Sequence, residues 1–77
     1  MRNIGVDVIF TADGAVQVSR VQVDGHWSRV GQGRQWLDED GRHCLIMLSD
    51  NSVREIILQS QTLAWVVKPV AGSKQII

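Results

Sequence analysis

Acidic, basic and thiol side chains crowd into one short stretch of the sequence, from Trp36 to Met47. It reads WLDEDGRHCLIM and holds three acids, an arginine, a histidine and the only cysteine of the chain. Carboxylate, imidazole and thiolate groups at short spacing could bind a metal ion, or could act as nucleophile and base. The stretch also contains an Asp-Gly pair between two β-forming segments, which is the pattern of a β-hairpin.

Strand geometry argues against both chemistries. Consecutive residues of a strand or tight turn point in different directions, so we expect the three acids at 38–40 not to converge on one ion. Cys44 begins an apolar run, where a free cysteine is usually a buried hydrophobic residue, and its neighbour His43 would face the opposite side. Zinc normally takes four Cys or His ligands, and the chain offers three. We therefore expect no metal site, no cofactor and no catalytic residue, and not an enzyme.

The structural interpretation of the same stretch is a hairpin with an acidic tip. Asp40-Gly41 would turn the chain, and Cys44 to Leu48 would enter the core. Arg42 would then pair across the strands with Asp38 or Asp40, a contact worth under ~1 kcal/mol if exposed. We expect His43 to be a strand residue near the rim.

Arginine and tryptophan side chains between residues 20 and 42 give the best functional signal. Tryptophan is most often a core residue in small domains, and we expect this of Trp27, Trp36 and Trp65. The alternative is a stacking surface, because aromatic rings among basic residues bind single-stranded nucleic acid. This candidate binding face comprises Trp27, Arg29, Arg34, Trp36, Arg42 and His43.

Turn signals recur about every ten residues, which predicts short antiparallel strands. Asp-Gly pairs stand at 13–14, 24–25 and 40–41. The alternation of apolar and polar residues slips by one position at Ser19-Arg20, which indicates a bulge or a strand crossing between two sheets. The segment 53–59 could form a helical turn or a strand, and its β-branched residues favour a strand. We expect an all-β domain, a six- or seven-stranded antiparallel meander that forms a small barrel or rolled sheet of SH3-like or OB-like size.

Length and composition bound the class of protein. We place a single domain at residues 1–70 and a tail at 71–77 that is flexible or docks on a neighbour. Eight basic and eight acidic side chains cancel, so no long-range field attracts nucleic acid or an anionic membrane. The lone cysteine, the short apolar runs and the lack of a signal-peptide core favour a cytoplasmic protein with no membrane partner.

Several motifs follow one another in a recognisable order between residues 8 and 67. They are a Phe-led strand with a Gly turn (Phe10, Gly14), Gly-Arg-x-Trp at 33–36, Asp-Glu-Asp-Gly-Arg-His at 38–43, then Leu45, Met47, Glu55 and Trp65. As a set they resemble a small bacterial all-β domain family of uncharacterised function. The resemblance implies no established activity. Because some members accompany DNA-repair proteins, it slightly favours a nucleic-acid or accessory role. The chain departs from that family at the first hairpin, where Ala12 and Val16 replace Trp and Tyr.

Two strands predict an interaction function. Cys44–Leu48 and Leu63–Val67 are apolar on both faces, in a chain with little mass to cover them. Such surfaces commonly become dimer interfaces through sheet packing or edge pairing. We expect a non-enzymatic accessory or interaction domain that binds itself, as a homodimer, or a protein partner through a sheet face or edge. The alternatives are a single-stranded nucleic-acid-binding module and, third, a small enzyme.

Overall fold

The computed structural model describes residues 2–69, which form two antiparallel sheets. The five-stranded sheet has the order β1-β8-β7-β6-β5, and the three-stranded sheet has the order β2-β3-β4. The described residues contain no helix, and so none that could cross a membrane, and the all-β prediction is confirmed. The segment 71–77, expected to be a tail, lies outside the described residues. The strands are β1 Arg2–Asn3, β2 Gly5–Phe10, β3 Val16–Val23, β4 His26–Arg29, β5 Gly31–Asp38, β6 Gly41–Met47, β7 Val53–Gln59 and β8 Trp65–Val67.

The two sheets are not closed into a barrel, which was one of the two forms expected. Eight strands replace the expected six or seven because the N-terminal segment divides at Ile4. Before Ile4, β1 pairs with β8 in the larger sheet, and after it β2 pairs with β3 in the smaller one. The chain changes sheets again at Val30, between β4 and β5. These two crossings join the sheets.

Glycine turns close the hairpins as the Asp-Gly pairs predict. Asp24 and Gly25, with φ of 54° and 76°, form the two-residue turn between β3 and β4. Two successive positive φ values are characteristic of a type I′ turn, whose twist matches that of the two strands it connects. Gly41 has a φ of 141°, and a Cβ at this position would lie 1.9 Å from the carbonyl oxygen of Leu58. Only glycine fits there without moving the neighbouring strand.

Both strand-level predictions for the middle of the chain are confirmed. Asp7 pairs with Arg20 while Val8 pairs with Val18, which leaves Ser19 as the extra residue of a bulge in β3. The bulge lets valines on either side of it face the core. Residues 53–59 form strand β7 rather than a helical turn.

The core lies between the two sheets and is made of aliphatic side chains. Its fully or nearly fully buried members are Val16, Val18, Val21, Cys44, Ile46 and Ile56. The burial of Cys44 confirms that the thiol belongs to the core. The opposite side of the five-stranded sheet, called the outer face below, does not contact the three-stranded sheet. It carries every second residue of β5 to β8, including Trp36, His43, Glu55 and Ile57.

Two glutamine side chains of β5 replace a missing strand beside β3. β4 pairs with β3 only from Arg20 to Val23, so the backbone groups of Val16 and Val18 lie beyond its end. Gln35 accepts a hydrogen bond from the Val16 N–H and donates one to the Val16 carbonyl, both at 2.9 Å. Gln32 accepts from the Val18 N–H at 2.7 Å and also donates to the Val16 carbonyl at 2.9 Å. These amides satisfy backbone groups that would otherwise lack partners.

Candidate functional site

The six residues of the candidate binding face lie on different surfaces. Trp27 and Arg29 belong to β4 in the three-stranded sheet, whereas Arg34 and Trp36 belong to β5 in the five-stranded sheet. Trp36 faces His43 across the β5–β6 ladder, so both side chains lie on the outer face. A nucleic-acid surface built from all six residues would need them on one side. The six residues therefore do not form one surface.

The tryptophans contribute less to the core than expected. Trp27 is 43% exposed and lies beneath the guanidinium of Arg20, whose Cζ is 5.2 Å from the ring centroid. Trp65 is half-buried and packs against the core cluster. Trp36 is half-buried on the outer face. The core prediction is therefore wrong for Trp27, because the small sheet has no layer on its far side.

Arg42 does not pair with the acids of its own hairpin. Its guanidinium donates to the carbonyl oxygen of Gly14 at 2.8 Å and to Oε1 of Gln35 at 3.3 Å. Arg42 faces Leu37 across the ladder, while Asp38 faces Gly41. Because adjacent residues of a strand point to opposite faces, Arg42 and Asp38 lie on different sides of the sheet. Arg42 instead joins β6 to the turn between β2 and β3.

The most organised polar cluster in residues 2–69 surrounds His43. Its side chain is only 7% exposed, although it was expected near the rim. Nδ1 lies 2.6 Å from Oε2 of Glu55, and Nε2 lies 2.8 Å from Oδ1 of Asp38. The imidazole stacks on the indole of Trp36, with centroids 5.0 Å apart and planes inclined by 9°. One side chain thus connects strands β5, β6 and β7.

Both ring nitrogens of His43 contact carboxylates, so the doubly protonated form can donate to both. Burial lowers the pKa of His43, but the hydrogen bonds to Glu55 and Asp38 outweigh it, and the net pKa is raised above 6.5. The hydrogen bond from His43 is also the main cause of the lowered pKa of Asp38. Lys68 Nζ approaches Oε1 of Glu55 at 3.5 Å and adds a second cation to that carboxylate. We call the set Asp38, His43, Glu55 and Lys68 the histidine clamp.

Asp38, Asp40 and His43 converge more closely than expected. Their ligand atoms lie within 4.8 Å of one another, so two of the three acids at 38–40 lie closer together than expected, whereas Glu39 is not part of the cluster. The hairpin brings Asp38 back beside His43 because the two share the outer face. The Nε2 atom that would bind an ion already contacts Asp38, and three donors fall short of the four that zinc prefers. We assign no metal to this cluster.

Nucleophilic chemistry has no support at Cys44. The side chain is fully buried, its Sγ lies 3.6 Å from the Leu45 carbonyl oxygen, and burial raises the pKa of the thiol. Reactive cysteines have lowered pKa values and solvent access. His43, the neighbouring residue, uses both of its nitrogens in the clamp. The thiol therefore serves packing.

The edge strand β5 adds a further group beside the clamp. The guanidinium Cζ of Arg34 lies 4.9 Å from the ring centroid of Trp36, which also stacks on His43. Arg34, Trp36 and Asp38 stand at alternate positions and share the outer face. A basic, an aromatic and an acidic side chain therefore follow one another along the edge of the larger sheet.

Sequence reasoning missed four partner residues. Glu55 and Lys68 belong to the histidine clamp, and Gln32 and Gln35 bind the backbone of β3. An acid at the centre of an apolar strand, in the run VREIILQ, was a signal that Glu55 has a partner. The two glutamines gave no such signal, because polar residues on a short strand near glycines suggest solvent exposure.

The chain was compared with protein-family models, with curated proteins and with solved structures. None of the three comparisons finds a match. The resemblance to a bacterial all-β family stays a prediction. The function is therefore argued from the geometry of the described residues alone.

Proposed function

We propose that the chain is a non-enzymatic interaction domain that forms a homodimer by pairing the edge of β5 with β5 of a second copy. The observation that carries the proposal is the order of side chains along this edge. Arg34, Trp36 and Asp38 form a basic, aromatic and acidic series on one face, and the series is complementary to itself when reversed. Antiparallel pairing reverses it.

The edge of β5 is open to a partner strand. β5 is the last strand of the larger sheet, and β6 is its only ladder partner among residues 2–69. Leu37, near the end of β5, is 67% exposed. Unpaired strand edges present N–H and C=O groups that a further strand can bind.

A bulge limits the length of the pairing segment. Gly33 and Arg34 together oppose the single residue Leu45, so the ladder is irregular there. Bulges commonly block edge pairing. The regular part of the edge runs from Gln35 to Asp38, and we assign the contact to these residues together with Arg34, the bulge residue next to them.

Charge selects one register for the second copy. When the pairing is centred on Trp36, Arg34 of each chain faces Asp38 of the partner subunit, and the two tryptophans face each other. Aromatic pairs and opposite charges across strands each contribute about 0.2–1 kcal/mol. Pairing centred on Arg34 or on Asp38 would instead place like charges opposite each other.

The dimer is expected to be weak. Five residues of edge bury less than the roughly 1,200 Å² of a standard interface, and we expect a dissociation constant between about 1 µM and 1 mM. The buried free thiol of Cys44 suits a reducing compartment, and we propose the cytoplasm as the place of action.

Charge exchange at the edge tests the proposal. Arg34→Asp and Asp38→Arg each place like charges at both cross-chain pairs, so neither variant should associate with itself. An equal mixture of the two restores both pairs, and we expect a heterodimer by sedimentation velocity. Arg29→Asp, an exposed arginine on the smaller sheet, is the matched control and should dimerise like the wild type.

Asp38→Arg also removes a contact of His43, so the thermal unfolding of each variant is measured alongside. The mixing result separates the two effects, because a misfolded variant cannot regain association with its complement. Self-association of Arg34→Asp at wild-type strength would contradict the proposal. So would a mixture that stays monomeric while the wild type dimerises.

A further inference from the structure

A cavity lies between the two sheets, at the end of the core where β6 finishes. Its volume is about 310 Å³. The wall is mostly aliphatic and comes from both sheets, with contributions from Ile4, Val21, Ile46, Leu48 and Ile56. Pockets for small molecules are typically apolar, have volumes of about 300–1,000 Å³ and contain few polar groups. The cavity lies at the lower limit of that range.

Arg54 is the polar group that stands out in this wall. It faces Ile46 across the β6–β7 ladder, so its side chain projects towards the core rather than to the outer face. It is half-buried and forms no ion pair with any carboxylate of residues 2–69. The carboxylate of Asp50 acts on this guanidinium only from beyond ion-pair distance, and an anion in direct contact would stabilise the half-buried cation further.

The other charged groups of the wall already have partners. Arg2 forms an ion pair with Asp24. Asp50 accepts hydrogen bonds from the backbone N–H of Ser52 at 2.9 Å and from its hydroxyl at 2.6 Å. Of the two arginines in the wall, Arg54 is the one without an ion-pair contact to residues 2–69.

We infer that the cavity binds a small monocarboxylate with an unbranched apolar chain, whose carboxylate contacts Arg54 and whose chain lies between the sheets. The planar guanidinium matches a carboxylate because two parallel N–H groups can donate to its two oxygens. The aliphatic wall supplies the apolar contact. This site lies between the sheets and not on the outer edge of β5, so it is independent of the proposed dimer.

Binding of octanoate to the full chain tests the inference, with NMR amide shifts as the readout. Acetate carries the charge without the chain, and octan-1-ol carries the chain without the charge. We expect octanoate to bind more tightly than either and to shift the amides of Val21, Ile46 and Ile56. Arg54→Met keeps the length of the side chain and removes the charge. It should weaken octanoate roughly tenfold, the loss expected for a charged hydrogen bond, and leave octan-1-ol unchanged.

Arg29→Met is the matched control, since it removes an exposed arginine outside this wall, and it should bind octanoate like the wild type. Equal affinity of the wild type for octanoate and octan-1-ol would overturn the inference, and that comparison needs no variant to fold. Shifts confined to residues outside the cavity, or full octanoate binding by Arg54→Met, would overturn it as well.

Discussion

His43 and Trp36 stack across the β5–β6 ladder with ring centroids 5.0 Å apart and planes inclined by 9°. The contact joins a buried histidine, held by two carboxylates, to the edge strand that we propose as the dimer contact. Trp36 also contacts the Arg34 guanidinium. The histidine clamp therefore fixes the aromatic side chain on which the self-complementary edge is centred.

Replacement of His43 should destabilise the fold strongly. In His43→Ala the carboxylate of Glu55, whose side chain is 19% exposed, loses its closest donor. A buried charged acceptor without its donor costs roughly 2–3 kcal/mol, which urea denaturation measures. His26→Ala, at an exposed position on β4, is the control and should change the unfolding free energy by under ~0.5 kcal/mol. Equal effects of the two substitutions would show that the clamp contributes nothing.

The contribution of the clamp should depend on pH with a defined sign. Folding raises the pKa of His43 above 6.5, so its contribution is complete below pH 6.5 and is lost as pH rises through the raised value. Folding lowers the pKa of Asp38 below 3.8, so its contribution is present above pH 3.8 and is lost as pH falls through the lowered value. The clamp is therefore complete between pH 3.8 and 6.5.

Urea denaturation of the wild type and of His43→Ala across this range checks the sign. The difference in unfolding free energy between the two proteins should be largest within the window and should shrink above it. A difference that grows as the pH rises beyond the window would mean that His43 is held as the neutral imidazole.

The amide of Gln35 should matter more than an exposed glutamine. Gln35→Leu leaves the Val16 N–H and carbonyl with fewer partners and removes an acceptor from Arg42. Loss of a partner by a buried backbone group costs about 1–3 kcal/mol. Gln17→Leu is the matched control, because Gln17 follows Val16 on β3 and its side chain is exposed. Thermal unfolding of the two variants should separate them clearly, and a Gln35→Leu variant as stable as Gln17→Leu would refute the bridging role.

Glycine substitutions should distinguish two turns that the sequence presents as alike. Gly14→Ala meets nothing within 4 Å, so its cost is that of a positive φ, about 1–2 kcal/mol. Gly41→Ala adds a Cβ 1.9 Å from the Leu58 carbonyl oxygen, and β7 must move. We expect Gly41→Ala to lower the melting temperature well beyond Gly14→Ala. Similar melting temperatures would mean that the hairpin tip relaxes freely.

Local features of the fold were predictable from the sequence. The Asp-Gly pairs marked hairpins, and the slip in alternation marked the Ser19 bulge, because turn chemistry and side-chain period act over a few residues. The position of Cys44 in the core followed from the apolar run that it begins. These are short-range effects.

The site was less predictable because it depends on contacts between strands distant in sequence. His43 is buried because Trp36 lies opposite it on β5 and Glu55 lies beside it on β7. Gln35 is half-buried because the bend between β4 and β5 brings it against the unpaired part of β3. Neither arrangement follows from composition or spacing alone.

Sedimentation equilibrium of the full chain over a wide concentration range tests the proposed homodimer most directly. The account predicts a weight-average mass that rises from the 8.6 kDa of one chain towards twice that value as concentration increases. It also predicts that Arg34→Asp abolishes the rise. A wild-type mass that stays at 8.6 kDa up to millimolar concentration would contradict it.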